Sequence, residues 1–298
     1  MAVAAKKKPK KKSKAPKLDR RMHVFRPDLA ALSLKGKVDA DRYVEPREMV
    51  VRAPVAPLKA GPDPDGALES ALLFGETFDV YDSQDGWSWG QSRSDGYVGY
   101  LCDPMLGEPS STATHRVALP QIHLYGRPSI KSEPVGLIHM NALLTVLSEE
   151  GNFAQLEGGL YARHDHLEGV NDFVPDFVAT AQMFQHVPYL WGGRTAQGID
   201  CSGLTQIALL RAGYDCPRDS DQQEKALGKA IDPDAPLKRG DLVFWPGHVA
   251  MMTGTASLIH ANQHHMRVSV EPLKRVRERI YDNQGDHVSS VRRLAKPQ

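Results

Sequence analysis

The pentapeptide Asp200-Cys201-Ser202-Gly203-Leu204 constrains this chain more than any other stretch. A glycine-bearing turn, Tyr189-Leu190-Trp191-Gly192-Gly193, precedes it. Leu204-Thr205-Gln206-Ile207-Ala208-Leu209-Leu210 follows, apolar enough for a buried helix that stops at Gly213, and glycine is common just past a helix C-terminus. Cys201 is therefore predicted in the first turn of a core helix. A helix N-terminus carries partial positive charge and unpaired N–H groups. Both favour a thiolate, the nucleophilic form of cysteine, and the N–H groups can donate to an oxyanion.

A nucleophile needs a base. Gly240-Asp241-Leu242-Val243-Phe244-Trp245, Pro246-Gly247 and His248-Val249-Ala250-Met251-Met252 read as strand, tight turn and strand, with His248 opening the second strand. Leu258-Ile259-His260-Ala261 is a further short strand with its own histidine. Cys, His, His in that order fits nucleophile, base and orienting group. Any one of the three alone reads more readily as a packing residue. Their combination with Gly192-Gly193 and the Gly240–Trp245 strand is what points to chemistry.

Residues 187–261 resemble the NlpC/P60 cysteine peptidases. The likeness lies in Pro188-Tyr189-Leu190-Trp191-Gly192-Gly193, Asp200-Cys201-Ser202-Gly203-Leu204, Pro217-Arg218-Asp219-Ser220-Asp221-Gln222-Gln223, Gly240–Trp245, His248-Val249-Ala250 and Leu258–Ala261. The resemblance implies an α+β, papain-like domain that cleaves peptide bonds in bacterial cell-wall peptides, often the bond from D-glutamate to a diamino acid. Cys201 is then the nucleophile, His248 its partner in a thiolate–imidazolium pair, and His260 the group that orients His248. Tyr189 falls where the family has a tyrosine near the oxyanion. Asp200 and Ser220 fall where related enzymes contact the free amino end of a wall peptide, and Asp200 is equally placed to cap the Cys201 helix. Arg218 either pairs with a substrate carboxylate or holds its loop, and Ser202 belongs to the same substrate-side set.

Upstream the pattern changes to short strands. Glu76–Tyr81 alternates with Phe78 and Val80 on one face, Asp85-Gly86 turns the chain, Trp87–Gln91 alternates, Asp95-Gly96 turns it again and Tyr97–Leu101 closes. Asp-Gly between alternating segments is a strong hairpin signal. The plan recurs about 66 residues on, as repeats of one module do. Its second copy comprises Leu144–Leu147, Glu150-Gly151-Asn152, Phe153–Leu156, Gly158-Gly159 and Leu160–Ala162. Both copies resemble bacterial SH3-like barrels, which often accompany NlpC/P60 domains, and the turn-rich Ala60–Ala67 resembles the insertion loop of such barrels. Trp87 and Trp89 share one side of a strand. Two readings stand for them: stacking on a sugar or lining a cleft, and filling a small barrel.

The expected organisation is a basic disordered tail and linker over 1–45, SH3-like barrels over 46–110 and 111–168, and the catalytic domain over 169–298. In the last, Phe173, Phe177, Ala181 and Phe184, widened by Val174 and Val178, predict a helix over 172–185. Val268-Ser269-Val270 continues the sheet after His260, and Val288–Leu294 supplies a last strand.

The 298 residues leave room for two or three domains. A formal net charge of +1 gives no reason to expect a nucleic-acid partner. The run Lys6–Lys14 is predicted to be disordered and leaves weak polyanion binding open. No apolar run approaches the roughly 18 residues of a membrane span, and Met1–Ala5 leads into lysines without the apolar stretch of a secretory signal. Three cysteines, Cys102, Cys201 and Cys216, are too few for a disulfide framework. A cytoplasmic monomer is the expectation, in a compartment that keeps a catalytic thiol reduced. Cys216, before Pro217, reads as a packing residue. Cys201, His248, His260, His264 and His265 match no usual zinc spacing, and strand residues alternate in direction, so neither metal nor cofactor is expected. The function these features imply is a cysteine peptidase acting on short murein peptides with a free N-terminal L-Ala, in wall recycling. The rivals are a muramoyl-L-alanine amidase or acyltransferase of the same fold, and a non-catalytic module that binds wall fragments.

Overall fold

The computed structural model describes residues 18–109, 111–232 and 234–295. The lysine-rich run Lys6–Lys14 lies outside them. Residues 47–107 form a seven-stranded antiparallel sheet in the order Leu68–Leu73, Val55–Lys59, Val98–Cys102, Trp87–Ser92, Thr77–Gln84, Arg47–Val51, Leu106–Gly107. The hairpin at Asp85-Gly86 has both residues at positive φ, 53° and 83°, the geometry that matches the twist of paired strands and that Asp-Gly tolerates. Val51, Ala56, Leu58, Leu72, Phe78, Val80, Tyr97 and Leu101 fill the interior.

The second module repeats this plan. Its five-stranded sheet runs Pro134–His139, Gln121–Tyr125, Tyr161–Arg163, Phe153–Leu156, Val146–Glu150, beside a small sheet of Leu143–Leu144, His115–Val117 and Leu167–Gly169. In both modules one strand of the first hairpin pairs with the closing strand, through Lys59 and Tyr100 in one and Tyr125 and Tyr161 in the other. Each then ends in a 3-10 turn, Asp103–Met105 or His164–His166.

From residue 18 onward the structure departs from the expected linker. Leu29–Ala31 pairs in parallel with Arg42–Val44, and Val24, Leu29, Ala31 and Leu34 form a cluster with Trp89. Trp89 is 4 % exposed, yet it sits outside the barrel interior, under this strap, with the Arg26 guanidinium 4.2 Å from its ring. The strap's apolar residues are too few and too interrupted, by Pro27 and Lys35 among others, to show a period, but together they cover one large indole. Trp87 stays half-buried in a surface cavity with Gln84, Asp85 and Tyr100.

The C-terminal module has helices α1 (Phe177–Gln182), α2 (Cys201–Arg211), α3 (Ser220–Ala226) and α4 (Leu273–Gln284). Its six-stranded antiparallel sheet runs Lys229–Ile231, Ser290–Arg293, Leu242–Trp245, His248–Met252, Ser257–Asn262, Arg267–Pro272. The sheet is the middle layer. On one face Leu242, Phe244, Val249, Met251 and Ile259 pack with Leu204, Ile207 and Ala208 of α2. On the other, Val243, Trp245, Ala250 and Met252 pack with Leu273 and Val276 of α4. Alternation along each strand divides the residues between the two layers.

One expectation changes here. The helix predicted over 172–185 is only Phe177–Gln182, because Pro175 disfavours helical backbone at Val174 and Asp176 then caps the helix through the N–H groups of Val178 and Ala179. Phe173, left outside, is 51 % exposed. The last strand expected over Val288–Leu294 is present as Ser290–Arg293, paired between Lys229–Ile231 and Leu242–Trp245.

Candidate active site

Asp200 opens α2. One carboxylate oxygen accepts the Gly203 N–H at 2.7 Å and the Ser202 hydroxyl at 3.2 Å, and the other accepts the Gly192 N–H at 2.8 Å. Arg218 closes on both oxygens, at 3.0 and 2.6 Å. It also donates to the Ser202 hydroxyl at 2.8 Å and to Ser70 of the first barrel at 2.9 Å. Asp200 is thus the helix cap, and Arg218 holds the loop that carries Ser220. A paired, bidentate Arg–carboxylate contact is the form in which two such charges tolerate burial. The turn is tight: a Cβ on Gly203 would lie 2.3 Å from the Gly193 carbonyl oxygen. Glycine lets the two backbones meet and brings the Cys201 turn against Gly193.

Cys201, 8 % exposed, lines a cleft of about 330 Å³ with Tyr189, Trp191, Trp245, His248, His260 and Arg279 among its walls. The antiparallel pairing of Leu242–Trp245 with His248–Met252, Trp245 opposite His248, brings His248 to the sheet end nearest α2. His248 Nε2 lies 2.9 Å from His260 Nδ1. His260 is buried and reaches Glu271 Oε2 through its own Nε2 at 2.8 Å. Arg279 of α4 donates to both oxygens of Glu271, at 2.7 and 2.8 Å, and His265 Nε2 stands 3.2 Å from Oε1.

Burial pushes the Cys201 thiol up to about 12 and His248 down to about 3. The leading cause in both is the loss of water around the charged form. Burial also pushes the Tyr189 hydroxyl up to about 12, so it remains a donor. Glu271 is held well below the usual carboxylate range. Its burial opposes this, but hydrogen bonds from His260 and Arg279 outweigh it.

Among the candidates, the structure brings Cys201, His248, His260 and Tyr189 into one cleft. Asp200, Ser202 and Arg218 lie together, buried at the start of α2. Ser220 is the first residue of α3, next to Asp219, whose carboxylate accepts the Tyr97 hydroxyl of the first barrel at 3.0 Å and Arg21 of the strap at 2.8 Å. His265 contacts Glu271, and His264 stacks edge-on against His265. Two pairs carry little signal in the sequence. Glu271–Arg279 joins a strand end to a helix whose only apolar stripe is Leu273, Val276 and Ile280. Its sole sequence signal is that Glu271 follows Ser269 by two positions on a strand where Ser269 pairs with His260. Arg194–Glu76 is a buried two-pronged ion pair between the active-site turn and the first barrel, at 3.0 Å on each prong, and no short motif links residues so far apart.

A cysteine in the first turn of a buried helix, facing two linked histidines on an antiparallel sheet, defines a papain-like cysteine peptidase, a hydrolase. The NlpC/P60 family matches residues 186–284, and the bacterial dipeptidyl-peptidase Sh3 domain matches residues 58–103. The chain thus carries an NlpC/P60 domain preceded by a bacterial SH3 domain, and it is a cysteine peptidase. It is similar to the gamma-D-glutamyl-L-lysine dipeptidyl-peptidase of Bacillus cereus, with 28% identity over 240 residues covering 69% of this chain and 71% of that protein. It is also similar to the protein of the same name from Bacillus subtilis, with 27% identity over 243 residues covering 74% and 80%. The crystal structure of an NlpC/P60 family protein from Bacillus cereus shares the fold, with a TM-score of 0.70 at 23% identity over 83% of this chain and 99% of that one. No helix among the described residues is long and apolar enough to cross a membrane.

Proposed function

We propose that this enzyme releases a dipeptide from short murein peptides by hydrolysing the bond between γ-D-glutamate and a diamino acid, from substrates with a free N-terminal L-Ala. Cys201 Sγ attacks the carbonyl carbon while its proton passes to His248. The N–H groups of the first turn of α2 and the Tyr189 hydroxyl donate to the oxyanion. His248 then returns the proton to the leaving amine, and water, activated by the same imidazole, hydrolyses the thioester. His260 orients His248.

One observation carries the dipeptidyl reading. The barrel strand Leu68–Leu73 lies against the nucleophile's own turn: Leu68 fills the space over Gly192, Ser70 bonds Arg218, and Glu76 pairs with the buried Arg194. A barrel in that place shortens the non-primed end of the cleft to a couple of residues. Asp200 is already taken up by Arg218. We therefore assign the free amine to Ser220 and to the carboxylates that converge on Tyr97, Asp219 at 3.0 Å and Glu69 at 3.5 Å. The two Bacillus relatives, named for gamma-D-glutamyl-L-lysine, support the bond. All three cysteines are free, which supports a reducing, cytoplasmic setting and a role in recycling.

Product analysis on defined peptides tests this. Free L-Ala-γ-D-Glu-L-Lys and its diaminopimelate counterpart should yield L-Ala-γ-D-Glu. N-acetylation should cost orders of magnitude in kcat/KM, since a blocked amine leaves half-buried carboxylates without their partner. Equal cleavage of capped or muramoyl-linked peptides would overturn the assignment, and release of muramic acid from L-Ala would establish an amidase.

A further inference from the structure

The two histidines of the cleft share a single proton across 2.9 Å, and that contact admits two arrangements. Either His248 Nε2–H donates to His260 Nδ1, or the reverse. Only the first leaves His248 Nδ1 bare to take the thiol proton. Nothing in the histidine pair chooses between them. The choice is made one residue further out.

We propose that Glu271, clamped by Arg279, is the positioning residue that fixes the tautomers of both histidines and so keeps His248 Nδ1 bare to take the Cys201 proton. The inference rests on the assignment of Cys201 and His248 as nucleophile and base. An ionised carboxylate only accepts, so His260 Nε2, 2.8 Å from Glu271 Oε2, must carry a proton. Neutral His260 then has a bare Nδ1, His248 must donate its Nε2–H across 2.9 Å, and its Nδ1 is left as the base. Arg279 keeps the carboxylate ionised and in place, with one N–H on each oxygen. Groups facing Glu271 come from every surrounding element: His260 from its strand, His265 from the turn that follows, Ser269 from its own strand at 3.4 Å, and Arg279 from α4. All four donate, so the carboxylate has no reason to take up a proton. During attack the proton moves from Sγ to His248 Nδ1. The new imidazolium still donates Nε2–H to His260, and Glu271 stays ionised throughout. The arrangement resembles an outer carboxylate that sets a histidine's tautomer in other sites, displaced here by one ring.

Glu271→Gln is the test, because it keeps size and changes only what the group can do. Arg279 donates to both positions, so the amide NH₂ meets an Arg279 N–H whichever way it turns and the clamp is lost. The amide can accept from or donate to His260 Nε2, and the tautomers of both histidines are no longer fixed. The folded variant should lose kcat by about a hundredfold or more with KM little changed. Arg279, no longer balanced, should move the limb of the pH profile governed by His248 to lower pH. Nitrogen-15 NMR of histidine-labelled intact chain reads the tautomers directly: Nε2–H and bare Nδ1 on both rings in the wild type, and a mixture of tautomers in Glu271→Gln. Should Glu271→Gln fail to fold, the wild-type spectrum decides alone. A proton on His260 Nδ1 there, or a folded Glu271→Gln with full kcat and an unmoved pH profile, would overturn the proposal. Activity surviving in His248→Ala would instead overturn the assignment on which it rests.

Discussion

His260 stands between His248 and Glu271 with a ring nitrogen within 2.9 Å of each, so it has no freedom to turn. A buried imidazole tied at both ends holds His248 in register with the first turn of α2, where Cys201 waits. The consequences differ for each member of the set.

Cys201→Ala should abolish hydrolysis, by about a thousandfold or more. Its Tm should stay near the wild-type value, because alanine fits the helix start and Asp200 still caps it. Turnover of a murein peptide by the folded variant, measured by product chromatography, would remove Cys201 from the mechanism.

His248→Ala should cost more in kcat than His260→Ala, since the first loses the proton acceptor and the second only its alignment. His260→Ala also leaves a cavity beside Glu271 and should lower Tm. A steady-state comparison of the two variants, with Tm measured alongside, checks the order. Equal losses in kcat would place His260 in direct contact with the reacting atoms.

Stability should fall as the protein is acidified below neutral pH. Burial lowers the pKa of His139, His248 and His260. Below about 6.5, the unfolded value, the unfolded chain binds protons that the folded chain refuses, so folding free energy is lost as pH falls. The stabilisation is fully present above that pH and fades below it. The depressed Glu271 adds a loss of the same sign at lower pH. Urea midpoints should hold from pH 8 to about 7 and decline from there to pH 4, and a rise toward pH 5 would contradict the burial of these rings.

Arg194→Ala should be among the most damaging changes remote from the thiol. Arg194 is fully buried, and its partner Glu76 is also buried, accepting the Leu73 N–H at 2.9 Å. Removing one partner of such a pair costs about 3–5 kcal/mol because the other charge stays buried. The variant should unfold at lower denaturant and bind substrate less well, since Gly193 precedes it in the turn. If Arg194→Ala keeps both stability and KM, the barrel is not a structural part of the active site.

Much of this architecture was legible because short-range signals agreed with one another. The Cys201 helix, the Asp-Gly hairpins and the two histidine strands each carried a local period or turn that packing then used. What was not legible depended on distant partners. Helix α4 is mostly charged, and its stripe of Leu273, Val276 and Ile280 means something only against Trp245 and Val243. Glu271 looked like a solvated strand end until Arg279 and His260 closed on it. Asp200 could cap a helix or receive an amine, and the choice depended on Arg218, eighteen positions later. The strap was hidden because its purpose, covering Trp89, belongs to another segment.

That strap also governs when the molecule is finished. Arg21 grips Asp219, a partner 198 positions along the chain, while the hydrophobic residues after it close over Trp89. Contacts of such separation pay their loop-closure entropy before they are rewarded, so they form late. The strap can close on Trp89 as soon as the first barrel exists, through Arg26 and the apolar cluster, but Arg21 has no α3 to grip until the catalytic domain folds. The Arg21–Asp219 contact is thus the later of the strap's two attachments, and it ties strap and barrel to the catalytic domain.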